Sequence, residues 1–570
     1  MLRRLSLALA VLLSGCAYGP RIVTPSPSQL TADCPSLAGA SIPARDIDLP
    51  NRGAVIDTAA IVAASPLTVR PDGTVVPAMP EHCRLVGRLP PVDGKAPPIH
   101  FQLNLPLAWN GKALQYGGGG LNGVLITGLA PLRDAPAGSP APLARGYLTF
   151  GTDSGHRTAD QPPTEIAAWA LNDEALVNFA YASYKKVRDV AVAAAARYYR
   201  NAPHRVYFFG GSEGGREGLA MAQRFPSSYD GVVSVVPVVN WVGLMHAYQP
   251  SQLLQFKGGW LPAAKVALLG RAIAAACDGL DGIADGVTNN YYACEAMFDL
   301  ARLRCDGGAD AGPGCLSDAQ VRMLSAMREP TRYPFPLANQ VTEYPRWLWG
   351  AEDLPGGLQA WVSGANPPSF PPAKGHSIHW TYGNNVLRYF IARDAKLDPR
   401  DYDPAKFRAR IEQVSALMDA TNPDLSAFQS RGGKIILREN MGDYAQSPLA
   451  GVRYYESVVL RMGQEKVDGF FRLYASSASA HSGLAQSVTS RAVVPTSIDL
   501  LEVLDRWVAQ RQPPGDTLLQ VHNSPKPPFE TLASRPLCRY PGYPHFNGYR
   551  QQPPGDPLKA ASYACRESRP

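Results

Sequence analysis

The sequence has no apolar run long enough to cross a bilayer as a helix, the stretch at residues 5–13 being too short, so a helix-spanning chain is not expected. It has no cluster of Lys and Arg with interleaved aromatics, and a net charge of only +7 over 570 residues, so nucleic acid is not an expected partner. The pattern G-x-x-x-x-G-K-[ST] is missing, so its glycine-rich segments do not read as phosphate loops, and no segment follows the EF-hand pattern. There is no internal repeat, which argues against a solenoid. Charged residues make up 18% and hydrophobic ones 45%, a globular balance, and the length suits one large or two coupled domains. The 52 Gly and 53 Pro imply many loops and interrupted helices.

The first residues set the expected compartment. Met1-Leu2-Arg3-Arg4 is basic, Leu5–Leu13 is apolar, and Leu13-Ser14-Gly15-Cys16 resembles a lipobox with lipid carried on Cys16. Residues 1–15 then read as a signal peptide and 16–33, rich in Pro, Ser and Thr, as a tether. Ala17 in place of Asp points to an outer-membrane lipoprotein, anchored rather than spanning. Of nine cysteines, eight remain after Cys16, an even number suited to an oxidising compartment. Sequence proximity pairs them as Cys34–Cys83, Cys277–Cys294, Cys305–Cys315 and Cys538–Cys565, one of many possible connectivities.

Strands and helices alternate from 34 to 240, with strands expected at Ile99–Leu105, Lys112–Tyr116, Tyr147–Gly151 and Val206–Phe209. One long helical stretch is expected over Ile166–Tyr199. From 241 to 425 periodicity weakens, and four cysteines and six of the nine tryptophans collect, as in an inserted domain. The alternation resumes over 426–570, with strands at Lys434–Leu437 and Phe470–Tyr474 and helices at Gly451–Met462 and Ile498–Ala509. This reads as a mostly parallel sheet with helices on both faces.

The chemistry centres on Gly210-Gly211-Ser212-Glu213-Gly214, placed between an apolar strand and a helical pattern. A serine on so sharp a turn needs small flanking residues, and the helix behind it presents free N–H groups to an oxyanion. This is the nucleophile elbow of an α/β-hydrolase. The base must follow in the chain. His481 comes after a strand and a loop of small residues, whereas His156 precedes Ser212 and fits the order badly, reading instead as a loop hydrogen-bonder. His376 and His379 lie in the insertion, within possible reach of substrate. For the orienting acid, the loop after Ile435-Ile436-Leu437 offers Glu439 and Asp443. The oxyanion hole is expected from the N–H of Glu213 with one from Gly117–Gly120, at Gly118 or Gly119. Separately, Asp278, Asp281 and Asp285 fall within eight residues among glycines. With the carbonyls of Ile283 and Val287 they suit Ca²⁺, the alternative being a solvated acidic turn.

In this order the features resemble the tannase and feruloyl esterase family, from about Cys34 to Cys565. The resemblance rests on Gly117–Gly123, Thr152–His156, Trp169–Leu176, Gly211–Gly218, Gln223–Pro226, Cys277–Cys294 and Arg535–Pro541. It implies an α/β-hydrolase with a large lid inserted at 241–425 and a structural calcium in that lid, held at Asp278, Asp281, Ile283, Asp285 and Val287. It implies a triad of Ser212, Asp443 and His481, and a carboxylic ester hydrolase acting on esters of hydroxycinnamic, gallic or phthalic-type acids. The segment Ser212–Glu217 is closer to the family's terephthalate half-ester hydrolases than to its fungal tannases. One departure stands out. The family usually carries a disulfide beneath the triad, and here the two positions are Gly211 and Ser482. His481 is then expected on a mobile loop held only by packing. Lid aromatics among Trp347, Trp349, Trp361 and Trp380 are expected around the substrate ring, with Arg388 or Arg393 meeting a carboxylate. The other class of function in view is a surface-tethered aromatic-ligand binding protein of the same fold with little or no turnover.

Overall fold

Val, Ile, Leu and aromatic runs between turn residues build the strands of the main sheet. The computed structural model describes residues 25–158 and 161–568. The expected signal peptide, Cys16 and the tether up to residue 24 lie outside these. Residues 27–33, expected as tether, instead form helix α1 (Pro27–Asp33), because Ser26 and Gln29 make a capping box and Leu30 is buried.

Among the described residues, twelve strands form the main sheet. They are β1 (Ser41–Ile42), β2 (Ala54–Val62), β3 (His82–Leu89), β4 (Ile99–Pro106), β5 (Lys112–Tyr116), β6 (Leu148–Thr152), β7 (Arg205–Gly211), β8 (Gly231–Val235), β9 (Lys434–Asn440), β10 (Phe471–Ser476), β11 (Thr517–Asn523) and β12 (Thr531–Arg539). Their spatial order is β1-β2-β3-β4-β6-β5-β7-β8-β9-β10-β12-β11. Pairing is parallel from β6 through β10 and antiparallel on both flanks. The parallel strands run as near-continuous buried stretches, as β8 does from Gly231 to Val235, because helices cover both faces.

On one face α2 (Ser183–Tyr199), α3 (Glu213–Arg224) and α9 (Pro448–Met462) pack on Phe208, Val232 and Ile435. On the other, α10 (Leu500–Gln510), capped by Asp499, buries Leu501, Leu504 and Trp507 against Tyr207, Val233 and Ile436. The single helix expected over Ile166–Tyr199 is broken. Asn172 caps a short helix at Asp173–Val177, and a wider turn at Asn178–Ala182 leads into α2. There the Ser183 hydroxyl donates to the Asn178 carbonyl at 2.8 Å.

Strands β8 and β9 are neighbours, yet the chain between them carries a second, largely helical layer with its own core. It contains α4 (Trp241–Leu254), α5 (Ala263–Cys277), α6 (Asp318–Met327), α7 (Ile378–Asn385) and α8 (Arg408–Met418). It caps the C-terminal edge of the parallel strands, where a ligand crevice is expected in open α/β sheets. Four disulfides join Cys34–Cys83, Cys277–Cys294, Cys305–Cys315 and Cys538–Cys565, the pairing of near neighbours. Among the described residues no single helix is long and apolar enough to cross a membrane.

Candidate active site

Ser212 sits between β7 and α3 with φ 59° and ψ −124°, a left-handed conformation that costs a non-glycine residue about 1–3 kcal/mol. The surrounding glycines permit it. A Cβ on Gly214 would lie 2.6 Å from the Gly118 carbonyl oxygen, and one on Gly117 would lie 2.7 Å from the Gly214 Cα. The elbow therefore packs backbone to backbone against the glycine run after β5. Ser212 is pinned by its own N–H to the Val235 carbonyl at 2.9 Å, while its carbonyl accepts from Gly215 at 3.0 Å and Arg216 at 3.2 Å.

His481 and Asp443 meet: Nδ1 to Oδ2 is 2.7 Å. The other Asp443 oxygen accepts from the N–H groups of Ala445 at 2.7 Å and Gln446 at 3.3 Å, which fixes the carboxylate. Glu439, the alternative acid, is buried with both oxygens unpartnered, and burial with the nearby Asp443 charge pushes its carboxyl well above the usual range. The structure thus brings Asp443 and not Glu439 to the histidine. His156 is elsewhere, its Nε2 2.8 Å from the Leu121 carbonyl and its ring stacked on Trp169, and burial pulls it down to about 4. His379 is fully buried, stacks on Tyr248 and meets the Tyr444 carbonyl at 2.8 Å, so the lid props the acid loop. His376 is part-exposed beside Ala373 and Ser369 and does not line the cavity.

Ser212 and His481 line one cavity of about 280 Å³ together with Gly119, Glu213, Trp361 and Tyr382. The oxyanion donors divide differently from expectation. The Gly118 N–H is directed to Glu217 Oε2 at 2.9 Å, because a carboxylate buried one turn into α3 draws it away from Ser212. The N–H groups of Gly119 and Glu213 donate to no acceptor among the described residues and border the cavity. Glu217 also accepts from the Tyr184 hydroxyl at 2.6 Å and Asn122 Nδ2 at 2.5 Å. Burial raises the Glu217 carboxyl and the neighbouring Arg216 opposes that rise. Sequence reading missed Glu217, although its place five residues after the serine was a usable signal.

Three of the four expected aromatics are core residues. Trp347 packs on Tyr344, Trp349 on Phe298 and Arg328, and Trp380 on Phe256. Trp361 does reach the cavity, its ring 5.1 Å from that of His481 and edge-on to it, and Trp241, Tyr248 and Tyr382 supply the other aromatic walls. Arg388 and Arg393 are also displaced from the expected role. Arg388 donates to the carbonyls of Thr164 and Ala395, and Arg393 to Asp173 and Leu171. The arginine bordering the cavity is Arg133.

The expectation that His481 is held only by packing is overturned. Arg133 Nη2 donates to the His481 carbonyl, and Asn440 Nδ2 donates to that of Ala480 at 2.8 Å.

In the acidic loop, Asp278 Oδ1 accepts from the N–H groups of Asp285, Gly286 and Val287, and Asp285 Oδ2 pairs with Arg535 at 2.8 Å. Asp278, Asp281 and Asp285 are near enough that, beyond the effect of burial, the Asp285 charge raises the Asp281 carboxyl and the Asp278 charge raises that of Asp285. The donor chemistry fits a hard cation. Burial pushes Asp281 up to about 7, with the Asp285 charge adding to the rise. The buried residues Ile283 and Val287 have carbonyls that accept no hydrogen bond from the described residues.

Fold and site define a hydrolase in which a serine at a strand–helix elbow faces a histidine–carboxylate pair under a lid. The family described as tannase and feruloyl esterase matches residues 83–565, and the chain belongs to it. An uncharacterized esterase of Agrobacterium fabrum is 37% identical over 558 residues, covering 95% of this chain and 94% of its own. The mono(2-hydroxyethyl) terephthalate hydrolase of Piscinibacter sakaiensis is 33% identical over 570 residues, covering 91% of this chain and 90% of its own. The crystal structure of feruloyl esterase B from Aspergillus oryzae superposes with a TM-score of 0.74 at 21% identity, covering 94% of this chain and all of that one. The protein is a carboxylic ester hydrolase with the α/β-hydrolase fold.

Proposed function

We propose that the protein hydrolyses esters of aromatic acids, of the hydroxycinnamic, gallic or phthalic type, through an acyl-enzyme on Ser212. The observation that carries this reading is that Ser212 and the Asp443-bound His481 share one cavity with the aromatic walls Trp361 and Tyr382. The Ser212 hydroxyl attacks the ester carbonyl while His481 Nε2 takes its proton. Asp443, ionised throughout, fixes the tautomer that leaves Nε2 free to accept and stabilises the imidazolium. The N–H groups of Glu213 and Gly119 receive the oxyanion. His481 then protonates the departing alcohol. In the second half a water attacks the acyl carbon as His481 takes its proton, and His481 returns that proton to the Ser212 oxygen as the aromatic acid leaves.

A calcium ion held at the Asp278–Val287 loop belongs to this proposal as a structural element. It would neutralise Asp278, Asp281 and Asp285 against one another and take the carbonyls of Ile283 and Val287. An N-terminal lipid on Cys16 is likewise proposed, placing the enzyme at the outer membrane of its cell.

The test is a substrate panel of methyl gallate, methyl ferulate, mono-(2-hydroxyethyl) terephthalate and p-nitrophenyl acetate, each with wild type and Ser212→Ala. Serine-dependent turnover of an aromatic ester is the expected result and names the acyl class. Folded, calcium-loaded protein that turns over none of them would sink the reading.

A further inference from the structure

Arg133 and Asp134 lie on the loop between β5 and β6, far from the triad in sequence, yet this dipeptide touches all three triad-bearing segments. The Arg133 stem lies over the nucleophile turn: a Cβ on Gly211 would come 2.6 Å from Arg133 Cδ and 2.7 Å from its Nη1. Its Nη2 donates to the carbonyl of His481 itself. The Asp134 carboxylate packs against Gly483, two residues beyond the histidine. On its other side Asp134 Oδ2 is 3.4 Å from Nη1 of Arg438, a fully buried residue of β9, five positions before Asp443. Arg438 in turn donates to the Thr496 carbonyl at 3.0 Å and the Ser476 hydroxyl at 3.2 Å. The dipeptide is itself anchored. Leu132 is buried in the core under the sheet, and the Asp134 carbonyl accepts from Ile498 at 2.7 Å. Asp134 takes φ 60°, in the left-handed region that Asp tolerates better than most residues other than Gly and Asn.

We propose that Arg133 and Asp134 form a non-covalent brace across the nucleophile turn, the histidine loop and the acid strand, with Arg133 the positioning residue that holds His481 in register with Ser212. The assignment rests on the serine-esterase reading above. Gly211 is part of the device, because any side chain there would displace the guanidinium. The brace does what a covalent bridge between the two loops would do, and it leaves the histidine loop able to move when the donor is lost.

The rival role for a cation bordering the cavity is to bind a carboxylate on the substrate, and kinetics separate the two. Arg133→Met keeps the stem and removes every donor. It is expected to lower kcat about 10–100-fold, the range for a small misplacement of a catalytic group. The loss falls equally on neutral p-nitrophenyl acetate and on anionic mono-(2-hydroxyethyl) terephthalate, with KM changed less than about threefold on the same reasoning. Arg133→Lys recovers part of kcat through its single donor. Hydrogen exchange of residues 477–484 in the full chain rises in Arg133→Met and not in Lys. A rise in KM confined to the anionic ester, with kcat kept, overturns the brace and assigns substrate binding instead. If Arg133→Met does not fold, Asp134→Asn, which weakens the link to Arg438, is read by the same assays. Should Ser212→Ala leave turnover of every ester unchanged, the serine-esterase reading fails. The exchange measurement then still decides the brace, which is refuted by unchanged protection at 477–484.

Discussion

Replacing Glu217 by glutamine tests whether a carboxylate without contact to substrate sets the oxyanion loop. In the native site Oε2 receives the Gly118 N–H at 2.9 Å, while Oε1 receives Asn122 at 2.5 Å and Tyr184 at 2.6 Å. Glutamine keeps the volume but offers one acceptor oxygen and an NH₂. With the oxygen toward Asn122 and Tyr184, the NH₂ faces the Gly118 N–H, and two donors oppose each other. With the oxygen toward Gly118, the Asn122 amide meets a donor instead. Either way a fully buried group loses a charge-assisted bond, a cost of about 1–3 kcal/mol. In the first arrangement the loop shifts at Gly118 and carries the Gly119 N–H with it. Complete loss of one oxyanion donor costs about 10²–10³ in kcat, so a displaced donor is expected to cost about 10–100-fold. The assay is steady-state ester hydrolysis alongside thermal unfolding, with Tyr184→Phe as control. That control removes an O–H donor but leaves the Gly118 bond, so it should lower the unfolding midpoint with kcat within about threefold. If Glu217→Gln keeps kcat within twofold of wild type while still losing stability, the carboxylate is structural and the reasoning fails.

Asp443→Asn should lower kcat about 10³–10⁴-fold with little change in the unfolding midpoint, because the amide stabilises the wrong imidazole tautomer; retention of a tenth of wild-type kcat would contradict the assignment. Glu439→Gln should stabilise the protein increasingly with pH. The folded carboxyl is raised by burial, so between its unfolded value of about 4.3 and the raised folded value the wild type loses up to about 1.4 kcal/mol per pH unit. Urea midpoints at pH 4, 5.5 and 7 should diverge from the wild type as pH rises, and a constant difference would refute it. Chelation with EGTA should lower the unfolding midpoint by a few degrees and added Ca²⁺ restore it, since a ligand at about 100 times its Kd contributes about 2.7 kcal/mol. Identical melting curves with and without EGTA would remove calcium from the proposal. Gly211→Cys with Ser482→Cys should gain little thermal stability in the wild-type background, where a Cβ at 211 meets Arg133 at 2.6 Å, and more in Arg133→Ala, as read by melting under oxidising conditions.

What was legible in the sequence follows how local each feature is. The elbow is written in five consecutive residues because close packing at Gly210 and Gly214 leaves no alternative to glycine. The disulfides close separations of 49, 17, 10 and 27 residues, so proximity alone pairs them. Glu439 lies within β9 and Asp443 three residues past its end, and only the fold brings one of them, Asp443, to His481. Arg133 and Glu217 were missed because each acts through a partner brought close by the sheet, not by the chain. The lid tryptophans misled for a related reason. An aromatic in a Pro/Gly-rich insertion packs the insertion's own core as readily as a cavity, and three of the four do so. The flanking strands β2, β11 and β12 alternate too weakly to stand out from loops, whereas β3 alternates clearly, Cys83, Leu85 and Leu89 inward against Arg84 and Arg88, and was overlooked.

The tail of the chain reaches back across the molecule. Arg535 pairs with Asp285, Phe546 packs on Ile283, and the Ser568 hydroxyl meets Asn290 at 2.6 Å. The acidic loop of the lid is thus closed by residues made more than two hundred positions later, and so is its share of the burial. The lid is complete in sequence well before it is complete in space, because Arg535, which offsets the charges of Asp281 and Asp285, lies 250 residues beyond Asp285. The acidic loop therefore reaches its native surroundings only once residues 535–568 have docked on it.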